Sequence, residues 1–397
     1  MSSAVKLAEI ATIIDCEHKT VRTVPEDEAF GFAVGTPSLR TDRIDYSQAK
    51  PVDRDTFYEW SQRTELVVGD IIFAREAPAG GLGWVDGSRN VCLGQRTVCV
   101  RANSQKIDAK YLYYKLRDPE IQQAISKMSA GSTVHHINVS DIKELQISHI
   151  PDLYTQKKIS KLLSDLDQLI DLNELIVVDY TNMLKTIFNY WFMQFEFPNA
   201  KGFSYKSNGG SFEWSEEIGL NIPTGWKVMK LGECCEIYQP EIISGSDIEL
   251  QGNHRVYGSN GVIGYYTKYN HEESEIAVSC RGECGNVYRT LPRSWITGNA
   301  MVIKPKLDYL DKEFLFHSLR NMNLKNIVTG SVQGQITRGN IENLSILVPP
   351  IDTFRQYGNI SSNVVNSLQN IFYQNENLQS LKSRILPLLM KGLATLS

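Results

Sequence analysis

The chain has 397 residues, 42% hydrophobic and 22% charged, with a formal net charge of −4. That length holds two or three domains with cores of their own, and the composition is that of an ordinary globular protein. The negative balance argues against a generic, charge-driven nucleic-acid binder; basic residues must gather on one face, or a partner must supply the positive charge.

Residues 1–150 read as mixed, β-rich structure. Leu66-Val67-Val68, Ile71-Ile72-Phe73 and Val98-Cys99-Val100 are short apolar runs set apart by Gly, Pro, Asn and Asp, the pattern of strands and turns. Ala109 to Met128 reads as one helix that buries Tyr113, Leu116, Ile121 and Ile125. This segment carries 18 Lys+Arg against 20 Asp+Glu, so it is not a basic domain.

Residues 151–195 read as a long helix. Ile159, Leu163, Leu166, Ile170, Asn173, Val177, Tyr180, Leu184, Ile187 and Trp191 follow in steps of four and three, a heptad seam with one polar member. Asn173 either fixes register or faces solvent. Residues 196–222 form a linker rich in Asn, Gly and Ser, including Ser207-Asn208-Gly209-Gly210-Ser211. Residues 223–350 make a second mixed module, with 13 Lys+Arg and 13 Asp+Glu. Residues 351–397 form a second helix with a seam of Val364, Leu368, Ile371, Asn375, Leu378, Ile385 and Leu389, which Pro387 kinks or ends.

The second half repeats the first. Gly131-Ser132, Ile137, Ile142, Leu145, Ile147 and Pro151 return as Gly330-Ser331, Ile336, Ile341, Leu344, Ile346 and Pro350, each 199 positions later (330 − 131). Lys6-Leu7-Ala8-Glu9 is matched by Lys230-Leu231-Gly232-Glu233. Ile72-Phe73-Ala74-Arg75 aligns with Val278-Ser279-Cys280-Arg281, and Gly94-Gln95 with Gly298-Asn299.

Catalytic signatures are missing. There is no Gly-x4-Gly-Lys loop, no Gly-x-Gly-x-x-Gly after a strand, and no Asn-Pro-Pro-aromatic run. Asp247-Ile248-Glu249-Leu250-Gln251 lacks the lysine of a nuclease carboxylate cluster. Cys280/Cys284 and the adjacent Cys234-Cys235 are not the two well-spaced pairs of a zinc site, so no metal is expected. Seven cysteines without framework spacing, no apolar run of bilayer length and no signal-peptide layout at Met1-Ser2-Ser3 make the cytoplasm the expected location.

Candidate nucleic-acid contacts sit at repeated places. Ser132 and Thr133 offer hydroxyls to a phosphate, with His135 and His136 near base edges; the bland reading is a polar turn. The second half places Ser331, Gln333, Gln335 and Arg338 there, and Gln and Arg are side chains that read adenine and guanine. Arg75 and Arg281 each close an apolar strand, as structural ion-pair partners or as DNA contacts; Gln95 and Asn299 carry the same ambiguity.

Two β-rich modules, each followed by a proline junction and a long helix, resemble the specificity subunit of type I restriction–modification systems. The residues that carry the likeness are Gly131-Ser132-Thr133, Ile150-Pro151, Gln156-Lys157-Lys158-Ile159 and Leu166-Asp167-Gln168-Leu169-Ile170, then Gly225-Trp226, Leu231-Gly232-Glu233, Gly330-Ser331, Val348-Pro349-Pro350 and Arg355-Gln356. The resemblance spans essentially the whole chain. It departs at Ile150-Pro151-Asp152, where a second proline is usual, and at Thr155 and Arg355, where a glutamate is usual.

The resemblance implies an α+β fold: two target-recognition domains separated by two long antiparallel coiled-coil helices, with pseudo-twofold internal repetition. It implies a non-catalytic subunit that binds double-stranded DNA at a split, asymmetric target. It implies two methyltransferase subunits as partners, which hold S-adenosylmethionine and methylate adenine, with motor-nuclease subunits as further partners and no cofactor in this chain. Ile159, Leu163, Leu166, Ile170, Leu368, Ile371 and Leu378 are the expected partner-helix interface. The alternative reading is a coiled-coil scaffold whose β-rich modules bind protein or another ligand.

Overall fold

In the computed structural model, residues 4–40, 43–76, 79–130, 136–330 and 334–396 are described. The chain divides into two compact units: Met1–Leu172 with Asn375–Ser397, and Asn173–Gln374.

In the first unit a four-stranded antiparallel sheet runs in the order Ala11–Asp15, Thr97–Ala102, Ile71–Ala74, Leu82–Trp84. A three-stranded sheet orders Lys50–Val52, Gly31–Val34 and Val91–Leu93, the last pair parallel. Ile71–Ala74 is buried on both faces, and strand alternation divides it between two cores. Ile71 and Phe73 join the core that receives the helices; Ile72 and Ala74 join the core under the smaller sheet.

The second unit has the same plan. Its larger sheet runs Cys235–Tyr238, Ala300–Pro305, Ile276–Ser279, Val287–Arg289. Its smaller sheet runs Gly261–Tyr266, His254–Gly258, Trp295–Ile296, again with one antiparallel and one parallel pair. The openings also match. Lys6 N donates to Glu9 at 3.1 Å and Leu7 N to Leu145 O at 2.8 Å; Lys230 N donates to Glu233 at 3.2 Å and Leu231 N to Leu344 O at 2.8 Å.

Two local expectations are corrected, and a third is made more exact. Leu66-Val67-Val68 is a loop: Asp70 accepts from Val67 N through its side chain and donates its own N–H to Val67 O, closing a turn that leaves Val67 and Val68 exposed. The helix read from Ala109 to Met128 is two helices, Ala109–Leu116 and Pro119–Ala130, because Pro119 lacks the N–H a continuous helix needs. The second long helix, Ile351–Met390, runs through Pro387 and ends three residues later.

The first long helix is Leu153–Phe188, extended by a π-turn over Asn189–Met193. In the first unit its early part meets the late part of the second helix antiparallel: Asn375 Nδ2 donates to Ile170 O at 3.4 Å, Lys382 pairs with Asp167 at 2.5 Å, and Leu386, Leu389 and Met390 pack with Ile159 and Leu163. Asn173 is buried, not solvent-facing. In the second unit Trp191 and Phe192 pack on Tyr357, with ring centroids 5.8 and 4.9 Å apart. The linker is ordered by aromatic packing: Phe197 stacks on Tyr205 at 4.6 Å, Phe195 meets Trp226 edge-on at 5.5 Å, and Phe212–Ser215 pairs with Leu220–Pro223 as a hairpin.

Candidate nucleic-acid interface

At one end of the larger sheet in each unit, three connections converge on one backbone frame. In the first unit Arg75 N donates to Arg96 O at 2.9 Å, Ile137 N to Arg75 O at 3.0 Å and Gly80 N to Ala74 O at 2.9 Å. In the second, Cys280 N donates to Asn299 O at 3.0 Å, Ile336 N to Cys280 O at 3.0 Å and Gly285 N to Ser279 O at 2.9 Å. Isolated bridges complete both frames, Glu76 with His136 and Arg281 with Gln335.

This hydrogen-bond equivalence corrects the sequence register by one residue. Arg75 corresponds to Cys280, not Arg281. Glu76 corresponds to Arg281, Arg96 to Asn299, and Gln95 to Gly298. His136 and Gln335 do occupy the same place. The frame is constant while every polar side chain on it changes.

Arg75 is a strut. Its side chain is 9% exposed, with Nη1 3.1 Å from Asp15 Oδ1, Nε donating to Ile137 O at 3.0 Å and Nη2 donating to His136 Nε2 at 2.9 Å. An arginine with its nitrogens committed inside the fold has little left for a DNA edge, so the ion-pair alternative describes it. In the second unit Gln239 takes the place of Asp15; its Nε2 lies 3.7 Å from Cys280 Sγ and bonds Gly298 O. Burial holds the Cys280 thiol above its ordinary pKa.

The exposed groups on the frame differ. In the first unit Arg96 stands at a turn with φ +65°, and its Nε lies 2.5 Å from Glu76 Oε1. Gln95 is half-buried, with Nε2 3.3 Å from Thr20 Oγ1. In the second unit Arg281, Asn299 and Gln335 are all exposed. Arg338 is exposed beside them in sequence and pairs with Glu342 at 2.7 Å. Ser132, Thr133, His135, Ser331 and Gln333 lie outside the described residues. Glu76 and Arg96 escaped the sequence reading because Arg75 and Arg281 look alike. Aligning Ile71–Ala74 with Ile276–Ser279, and Thr97–Ala102 with Ala300–Pro305, strand on strand, places both residues correctly.

The expected partner-helix interface is also corrected in part. Ile159, Leu163, Leu166 and Ile170 are buried within this chain, which leaves no area for another. Heptad periodicity marks an apolar face without saying what covers it; here the core that holds Ile159 and Leu163 joins residues of the first module and of the chain's own second helix. Leu368, Ile371 and Leu378 are half-buried, and exposed apolar residues on the first helix include Leu169, Leu172, Leu175, Val178 and Met183. Among the described residues, no three of His, Cys, Asp and Glu are grouped to hold a metal ion, and no helix is long and apolar enough to cross a membrane.

Comparison with known proteins gives a consistent result. The profile of the type I restriction modification DNA specificity domain matches residues 33–177 and 223–379. The putative type I restriction enzyme MjaX specificity subunit of Methanocaldococcus jannaschii is 26% identical over 98% of this chain and 93% of that protein. The MjaIX specificity subunit of the same organism is 22% identical over 82% of this chain and 77% of its own length. The crystal structure of the S subunit of a type I restriction–modification system from M. genitalium superposes with a TM-score of 0.59 at 16% identity, covering 98% and 96% of the two chains; it speaks for the fold.

Proposed function

The chain belongs to the family of type I restriction–modification DNA specificity subunits, and from that premise we infer that its two modules read the two different halves of a split DNA target. As a specificity subunit it is non-catalytic and contributes DNA sequence recognition. The observation that carries the asymmetric target is the retained frame with exchanged side chains: Glu76, Arg96 and His136 in one unit, Arg281, Asn299 and Gln335 in the other. Two copies of one reading surface would give a symmetric site; two surfaces of different chemistry give two different half-sites.

The recognition modules are residues 1–150 and 223–350, and the helices within 151–195 and 351–397 set the length of the unread spacer between half-sites. The partners are double-stranded DNA and two methyltransferase subunits, which hold S-adenosylmethionine and methylate adenine, with motor-nuclease subunits joining for cleavage. The methyltransferases supply phosphate contacts that a chain of net charge −4 does not. The complex works in the cytoplasm.

The test is to insert four residues, about one helical turn, beside Asn173 and map adenine methylation in cells that carry the chain with its methyltransferase. Both half-sites should persist while the spacer lengthens by about two base pairs. An unchanged spacer, or a symmetric target for the unaltered chain, sinks the reading.

A further inference from the structure

The pair formed by Glu76 and Arg96 has no counterpart in the second unit, where Arg281 and Asn299 occupy its two positions. Three features set it apart. The glutamate side chain is 10% exposed and the arginine side chain 65% exposed, so the carboxylate sits inside the fold and the guanidinium outside. The contact is an ion pair, with Arg96 Nε 2.5 Å from Glu76 Oε1. Arg96 holds a left-handed backbone conformation, φ +65°, which a non-glycine residue adopts at some cost, and its carbonyl is fixed there by Arg75 N at 2.9 Å.

We propose that Arg96 reads a guanine in the half-site of the first module, with Glu76 as the positioning residue that fixes the plane of its fork. This rests on the reading of the chain as a DNA specificity subunit. An arginine meant for a phosphate gains from an undiluted charge. A carboxylate at 2.5 Å cancels much of that charge and in exchange anchors the side chain at one place. Orientation matters for a base edge: guanine offers O6 and N7 side by side, and two parallel N–H donors of a guanidinium match them. The burial of Glu76 keeps its own charge away from the DNA backbone. The strained turn holds the arginine at the sheet end, where Arg75 and His136 brace one another.

The second unit keeps the hydrogen-bond frame but has Arg281 where Glu76 stands, so its arginine is not braced by a carboxylate at this place. The two half-sites therefore differ in how a guanine is recognised, and substitution at Arg96 or Glu76 affects one half only.

The experiment uses the full chain assembled with its methyltransferase, with adenine methylation mapped genome-wide for the unaltered chain, R96K and E76Q. Lysine keeps the charge and loses the fork; glutamine keeps the shape and loses the ionic brace. R96K should relax a single G·C position in one half-site, lowering discrimination there by roughly ten- to a hundredfold, with the other half-site unchanged. E76Q should relax the same position less, and E76D should restore part of it. Three results overturn the proposal: every position of the target kept in R96K, methylation lowered equally at all sites with no position relaxed, or a first-module half-site without a G·C pair. An unaltered chain that directs no split target at all sinks the family-based reading instead, which keeps the two failures apart.

Discussion

Each module meets its long helix through the same short helix, yet the two junctions are built from opposite charges. Asp108 caps Ala109–Leu116 by accepting from Tyr111 N at 2.8 Å, and Asp311 caps Lys312–Asn321 by accepting from Phe314 N at 2.8 Å. Two residues after each cap the chemistry reverses. Lys110 lies 4.0 Å from the Trp84 ring centroid and 5.0 Å from that of Tyr113. Glu313, at the matching place, is buried against Arg289 at 2.5 Å and His317 at 3.2 Å. Further along, Tyr114 OH donates to Asp167 at 2.7 Å, while His317 stacks on Phe188. Arg117 and Arg320 lie over Tyr113 and Phe316 at 4.7 and 5.5 Å, a contact common to both. A fixed cap and a fixed cation–π contact carry the geometry, and the sign of the buried charge is free to differ. Each module is thereby matched to its own stretch of helix.

The largest break in this comparison is Glu313→Ala. It strands the Arg289 guanidinium, whose side chain is 19% exposed, without its carboxylate. A loss of about 3–5 kcal/mol from the second unit follows, measurable by urea denaturation. Lys110→Met should cost far less or stabilise the first unit, because an apolar chain replaces a charge that burial already disfavours.

Acid should separate the two halves next. Burial, aided by Lys304 and Lys312, lowers the His271 pKa to about 4. Its Nδ1 faces Asn270 Oδ1 at 2.6 Å and its Nε2 faces Tyr238 OH at 2.9 Å, partners that suit the neutral ring. The unfolded chain binds that proton near pH 6.5, so stability of the second unit is full above 6.5 and falls as pH drops toward 4, by about 3 kcal/mol. His271→Gln should flatten this slope in thermal melts from pH 7 to 4; an unchanged slope refutes the assignment. Burial also lowers the Lys110 pKa to about 8, so the first unit gains stability between pH 8 and 10.5, where the unfolded chain still holds the extra proton. The pH responses of the two units thus lie at opposite ends of the scale.

The smallest effect is Tyr114→Phe. It removes one hydrogen bond to Asp167, which keeps Lys382 at 2.5 Å as a partner. A loss of about 1–2 kcal/mol confined to the first unit is expected from chemical denaturation.

The repeat, the two β-rich modules and the long helices were legible because apolar spacing and the Gly-Ser and Pro landmarks recur at one offset. The reading surface was legible only to within a residue. Arg75 and Arg281 share a side chain but not a backbone position, and no side-chain pattern reports which carbonyl Ile137 or Ile336 will bond. The helix face was legible as apolar, but its covering was not: Ile159 and Leu163 share a core with the first module and with Leu386, Leu389 and Met390, more than two hundred positions downstream. The break before Pro119 was written plainly, and the periodicity on either side of it obscured the proline.

The division of the chain also imposes an order in time. The second unit is one uninterrupted stretch, Asn173–Gln374, whereas the first needs Asn375–Ser397 to be complete. On the ribosome the first module emerges early and waits, its Ile159–Leu163 face bare and the Lys115 ammonium without the Met390 carbonyl that it meets at 2.7 Å. The part made first is therefore the part finished last. Truncation or stalled synthesis near residue 375 harms the half of the protein farthest from the lesion in sequence.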